Sequence, residues 1–236
     1  MKVKESLTID DWIYLDNLND CVDVNKMNWA EGWLADQNIK ANWFMIDADE
    51  CGVFEADDCY YVVCSGSDKD KKEWRGNFDA YPPIKKSKRE PEYVDGYHYN
   101  YFLTAYKLYE YIMKYFNNNV DKPLIFIGES RGGLVEIANQ LYDIFSTSKC
   151  HPSMAVTFDP PRFMRKKAIR WFNRRCSRKH IHHRAKTFFT IVGKVPPFFL
   201  GWKHFQTTLL KLPNVAGFNH INIGKSLQKL KRENKC

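Results

Sequence analysis

The spacing of apolar positions changes several times along the chain, and each change marks an element. From Tyr101 to Phe116 the apolar positions are 102, 105, 106, 109, 112, 113 and 116. These intervals of three and four put them on one face of a helix, which Asn117-Asn118-Asn119 closes. Tyr60-Tyr61-Val62-Val63-Cys64, Pro123-Leu124-Ile125-Phe126-Ile127, Ala155-Val156-Thr157-Phe158 and Thr187-Phe188-Phe189-Thr190-Ile191-Val192 are short runs rich in aliphatic and aromatic residues. Such runs are what strands buried on both faces require. Leu134 to Phe145 returns to helical spacing, and Gly128 to Gly133 separates it from the strand before it. The alternation predicts the α/β class, with a mostly parallel central sheet and helices on both faces.

Residues 1–54 mix acidic positions with Trp12, Trp29, Trp33 and Trp43 at short helical intervals, and are expected to form a helical region within a single domain spanning 1–236. Residues 81–95 combine prolines with charges and read as an exposed loop rather than a linker. With 44% apolar residues, a chain of 236 can bury a sizeable core. No stretch is apolar enough to span a bilayer, and the first residues lack a signal-peptide pattern, so a soluble cytoplasmic protein is expected.

The net charge of +8 is local. Eleven Lys and Arg fall between Arg162 and Lys186 with no acidic residue among them, which leaves the remainder of the chain at −3. The seven cysteines are odd in number and form no CxxC pair, so reduced thiols are expected.

The candidate chemistry lies in Ile127-Gly128-Glu129-Ser130-Arg131-Gly132-Gly133. Gly-Xaa-Ser-Xaa-Gly between a buried strand and a helix lifts the serine hydroxyl to the edge of a sheet, beside helix N–H groups that favour developing negative charge. Side chains at 128 and 132 would collide with the neighbouring strand and helix. The alternative is an ordinary strand-to-helix turn.

Several blocks, in one order across residues 60 to 225, resemble the class 3 lipases. Tyr61 to Ser67, with Trp74 and Asn77-Phe78-Asp79-Ala80, is similar to that family's strand and Arg-Gly-Ser/Thr turn, with Cys64-Ser65 in place of Phe-Arg. Val94-Asp95-Gly96-Tyr97-His98 resembles the stretch before its long helix, and Thr157-Phe158-Asp159-Pro160-Pro161-Arg162 its Thr-Phe-Gly-Xaa-Pro-Arg. Val195-Pro196-Pro197 with Gly201-Trp202-Lys203-His204 resembles a later block. The resemblance implies an α/β-hydrolase fold and a serine hydrolase of carboxylic, lipid-type esters that forms an acyl-enzyme on Ser130 without a cofactor.

A serine hydroxyl needs an imidazole to take its proton. The resemblance places that base at His220, on a loop before a terminal helix, with His204 held in reserve. It also assigns the oxyanion donors to the Arg131 N–H and to Ser67, whose alternative reading is a plain turn residue. The family's usual aspartate position is Gly193 here. Asp159 ends the strand after the nucleophile's helix and keeps the chain order serine, acid, histidine; its alternative role is to cap the Asp-Pro-Pro turn. Glu129 stands where the family often has histidine, as an exposed residue or a partner of Arg131 or another base.

Ser67-Asp68-Lys69-Asp70-Lys71-Lys72-Glu73-Trp74 occupies the family's lid position but is charged, which argues against oil droplets and for short esters, lysolipids or phospholipids. In the basic segment 162–186, Met164, Ala168, Trp171 and Phe172 share one helical face. Three readings stand: an anchor for anionic membranes, a phosphate-binding surface for nucleic acid, and a core-facing helix with a solvated basic face. No recognised nucleic-acid module accompanies the charge. Cys176, His180, His182 and His183 are loosely spaced like metal ligands, but no second ligand cluster completes a site, and no metal is expected. The rival to the enzyme is therefore a catalytically weak hydrolase fold that binds anionic membranes or nucleic acid.

Overall fold

The computed structural model describes residues 3–66, 96–146, 152–176, 180–187, 201–205, 207–213 and 223–234. Within them, strands β1 (Lys40–Ile46), β2 (Asp49–Glu55), β3 (Tyr60–Cys64), β4 (Leu124–Glu129), β5 (Ser153–Phe158), β7 (His182–Thr187) and β9 (Thr208–Leu212) lie side by side in that order in one sheet. The first two pairings are antiparallel and the rest parallel. Two short strands, β6 (Met164–Arg165) and β8 (Trp202–Lys203), pair antiparallel apart from the sheet. The helices are α1 (Ile9–Asp20), α2 (Met27–Asp36), α3 (Tyr99–Tyr115), α4 (Val135–Phe145), α5 (Lys166–Arg175) and α6 (Ile223–Glu233).

The expected mostly parallel sheet with helices on both faces is what forms, because side chains in a strand alternate between faces. Val62, Cys64, Leu124, Phe126 and Ala155 point to one side, where Phe102, Leu108 and Ile112 of α3, Leu141 of α4 and Ala168 of α5 cover them. Tyr61, Val63, Ile125, Ile127, Met154 and Val156 point to the other, against Trp12, Leu15 and Leu18 of α1, Leu34 of α2 and Leu227 of α6. Each large apolar side chain buried in this way contributes about 1.5–3 kcal/mol of transfer free energy.

The N-terminal region departs from the expected helical character after Asp36. Residues 40–55 form the β1–β2 hairpin, with Ile46 opposite Asp49 across the two-residue turn Asp47-Ala48. Asp47 takes φ +56, a left-handed conformation that aspartate tolerates better than most side chains. Pairing of β2 with β3, a strand inside the sheet, decides the outcome here. α1 begins with a capping box, in which Thr8 accepts from the Asp11 N–H and the Asp11 carboxylate accepts from the Thr8 N–H.

Gly32, in the interior of α2, has open space where a Cβ would sit. Gly32→Ala is expected to stabilise the fold by about 0.5–1 kcal/mol through helix propensity, read from a urea denaturation midpoint.

Candidate active site

β4 ends at Glu129, and the chain reverses at Ser130 with φ +51 before a 3-10 turn, Ser130–Leu134, that leads into α4. A non-glycine residue in this region costs on the order of 1–3 kcal/mol unless its surroundings hold it there. Those surroundings are glycine backbone at contact distance. A Cβ on Gly128 would fall 2.0 Å from the Gly132 carbonyl oxygen, one on Gly132 would fall 2.1 Å from that of Cys64, and one on Gly133 2.5 Å from Pro160. β3, β4 and the start of α4 thus approach more closely than any side chain allows. At the end of β3, a Cβ on Gly66 would come within 3.2 Å of the Ser130 Cβ, so the chain leaving β3 passes beside the serine. Ser67, the next residue, lies outside the described residues, as do the charged lid segment 67–74, Gly193 and His220.

Parallel register sets Glu129 against Phe158. Ser130 and Asp159 therefore leave adjacent strands at the same C-terminal edge, both with left-handed backbone, φ +51 and +45. Asp159 is buried, and its carboxylate accepts from the Thr187 N–H at 2.9 Å and from the Thr187 hydroxyl. Its own N–H donates to the Ala185 carbonyl. The carboxylate ties the end of β5 to the end of β7. It does not cap its own turn through the next two residues, since Pro160 and Pro161 have no N–H to offer.

No family model and no curated protein matches the chain, but solved structures do. Native Rhizomucor miehei lipase in its propeptide complex superposes on 86% of this chain and 68% of its own, with a TM-score of 0.66 at 15% identity. A lipase from Rhizopus microsporus var. chinensis matches 86% of this chain and 74% of its own, with a TM-score of 0.62 at 15% identity. Lipase II from Rhizopus niveus matches 86% and 80%, again with a TM-score of 0.62 at 15% identity. The chain has the α/β-hydrolase fold of these fungal lipases. Within this fold, Ser130 and Asp159 share the edge at which the parallel strands β4 and β5 end.

Sequence reasoning missed what surrounds the serine. The Arg131 Nε donates to Asp49 at 2.7 Å, with Asp49 1% exposed, and the guanidinium also lies over the Tyr101 ring at 5.9 Å. Burial raises the Asp49 pKa and Arg131 opposes the rise. Nothing in the spacing of two residues 82 apart signals this pair. Glu129 is tied to α1, where Asn19 Nδ2 donates to its carboxylate at 3.3 Å. Glu129 in turn adds to the burial that raises Asp16 well above the ordinary aspartate range.

Four of the seven histidines are packing residues. His98 is buried against Tyr101 and Trp202. His180 Nδ1 meets Asp143 at 2.7 Å, His182 Nε2 meets the Thr157 hydroxyl at 2.8 Å, and His183 Nε2 donates to the Lys4 carbonyl at 2.8 Å. Among the described residues no group of three histidine, cysteine or acidic side chains is arranged to hold a metal ion. His204 is half-buried. The described cysteines, 21, 51, 59, 64 and 176, are free thiols.

Asp49→Ala leaves Arg131 charged and mostly buried without this partner, and is expected to cost about 3–5 kcal/mol in a chemical denaturation experiment. Asp16 provides a pH test. A folded-state pKa above the unfolded one means that its stabilising contribution exists at low pH and is lost as pH rises through the raised value. Asp16→Asn is therefore expected to raise the melting temperature near neutral pH and leave it unchanged in acid below the ordinary aspartate range.

Proposed function

We propose that the chain is a serine hydrolase of lipid-type carboxylic esters that forms an acyl-enzyme on Ser130. The observation that carries this is the left-handed serine on a turn braced by Gly128, Gly132 and Gly133, at the sheet edge it shares with Asp159. Such a turn is a nucleophile elbow, and its backbone strain has a use when it presents a hydroxyl to a substrate. The lipases of like fold, one of them described as a triacylglycerol lipase with a serine protease triad, support the same chemistry.

His220 takes the Ser130 Oγ proton as the oxygen attacks the ester carbonyl carbon. The Arg131 N–H, with Ser67, holds the oxyanion. Collapse of the tetrahedral intermediate breaks the bond to the alkoxy oxygen, and His220 returns the proton to the departing alcohol. Water, deprotonated by the same imidazole, then attacks the acyl-enzyme, releasing the acid and regenerating Ser130. Asp159 orients the imidazole; a carboxylate has about four acceptor sites, so its two bonds to Thr187 leave capacity for an Nδ1–H. His204 is the reserve base. The Asp49–Arg131 pair positions the residue whose N–H holds the oxyanion. Because the lid position is charged, the reading favours short-chain esters, lysolipids or phospholipid acyl bonds over oil droplets.

Hydrolysis of p-nitrophenyl esters of increasing acyl length tests this. Ser130→Ala and His220→Ala are each expected to lower kcat by about 10³-fold or more, and Asp159→Asn by about 10²-fold or more, with His204→Ala near wild type. A fluorophosphonate is expected to label wild type and not Ser130→Ala. Unchanged turnover in Ser130→Ala would refute the mechanism, and an unlabelled, inactive but folded protein would favour the binding-module reading.

A further inference from the structure

A cavity of about 540 Å³ lies at the start of α5, lined by Arg165, Lys166, Lys167, Arg170 and Lys203, with Gly96 and Gly201 in its wall. No lining residue is acidic, and the whole sequence from Pro160 to Arg232 contains no Asp or Glu. Among the described residues none supplies an ion-pair partner to Lys166, Arg170 or Lys203. By contrast Lys4, Lys26, Lys107, Lys122, Arg131 and Lys231 each meet a carboxylate within 3 Å. Like charges gathered in one concavity repel one another, and a bound anion removes that cost.

The backbone adds a second feature. α5 has no side-chain cap and no acid in its first turn, so its leading N–H groups and helix dipole favour an anion. Gly96, at φ +110, packs its backbone against that turn: a Cβ there would lie 2.6 Å from the Ala168 nitrogen, and its carbonyl accepts from the Arg165 N–H. Only glycine suits both the backbone angle and the close approach.

Topology fixes where the cavity lies. α5 joins parallel strands β5 and β7, so it starts at the edge where β5 ends, which is also the edge where β4 delivers Ser130. The apolar side of α5 is not available for a membrane: Met164, Ala168 and Phe172 are buried, and Ile169 and Trp171 pack on the core. Of the three readings of the basic segment, the core-facing helix is the one the structure has, and attraction to a bilayer has to come from charge. The shape also disfavours a nucleic-acid strand, because Trp202, between the lining residues Gly201 and Lys203, is buried and covered by the Arg165 guanidinium at 4.5 Å, so its ring is no platform for a base.

We propose that this cavity binds the phosphate monoester headgroup of an anionic phospholipid and holds the bilayer surface beside Ser130. A phosphate monoester brings nearly two negative charges and three acceptor oxygens, matched to several cations and a helix N-terminus. The proposal rests on the lipid-ester reading for its purpose but not for its test, because binding is measured on the full chain carrying Ser130→Ala.

The experiment is co-flotation with phosphatidylcholine vesicles, with and without one part in five phosphatidic acid. Binding is expected only with phosphatidic acid. Adding K166Q, R170Q and K203Q together is expected to weaken it at least tenfold with no fall in melting temperature. K225Q, K229Q and R232Q, which remove the same charge from α6, are expected to leave it within about twofold. Equal weakening by the two sets would overturn the site in favour of net charge alone. Competition by inorganic phosphate without any vesicle binding would overturn the lipid assignment in favour of a soluble phosphate ester, and preference for a single-stranded RNA of similar charge would overturn both. Failure of ester hydrolysis in wild type would bear on Ser130 and leave these results standing.

Discussion

The contact between Gly132 and the carbonyl oxygen of Cys64 controls the geometry of the whole edge. A Cβ at that position would sit 2.1 Å from the oxygen, so α4 can start where it does only because residue 132 has no side chain. That approach forces the chain to reverse within one residue of β4 and puts Ser130 in a left-handed conformation. The strain is local and modest; the buried strands on either side are what keep it in place. Tyr61, Val63, Ile125 and Ile127 are almost wholly buried, and their neighbours on the opposite face are too. The turn cannot relax without moving the centre of the sheet.

The same helix shows why a constellation of side chains is not by itself a site. Behind the turn, Thr157, His182 and Glu136 stand in line, with the hydroxyl 2.8 Å from Nε2 and the carboxylate 3.3 Å from Nδ1. This is the residue order of a hydrolytic relay, yet all three are buried, and no ester can reach them. The hydroxyl here is held between β5 and α4 as part of a polar seam with Gln140 and Tyr97. Ser130 differs in its place at the strand's end and its partial exposure, not in the chemistry of its neighbours.

Charge is divided along the chain in a way that matches the layers of the fold. All acidic residues but Glu233 precede residue 160, and those near the serine, Asp49, Glu129 and Asp16, come from β2, β4 and α1. The basic residues cluster in α5, on the far side of β5. The serine therefore lies at an edge with Asp49 toward the antiparallel strands, Asp159 at the end of the parallel neighbour β5, and the cations of α5 beyond it. No helix among the described residues is long and apolar enough to cross a membrane, and the amphipathic face of α5 is spent on the core.

The local rules of strand and helix periodicity were enough to predict β3, β4, β5, α3 and α4 and the glycine turn between β4 and α4, because those segments carry their burial pattern in short stretches. The same spacing placed Met164, Ala168 and Phe172 together on α5, although only packing decided that this face meets the core. Residues 40–54, expected to be helical, are strands because β2 pairs with β3 and β1 with β2, contacts that composition does not encode. The Arg131–Asp49 pair, the Asn19–Glu129 contact and the tie from Asp159 to Thr187 depend on which strands become neighbours, and long-range pairing leaves no local trace. The amino-acid sequence by itself determined the serine, its glycines and the uninterrupted basic stretch; the tertiary structure decided what Asp159 and Arg131 bond to and which cations share a cavity, since only closure of the parallel sheet brings residues so distant in the chain to one edge.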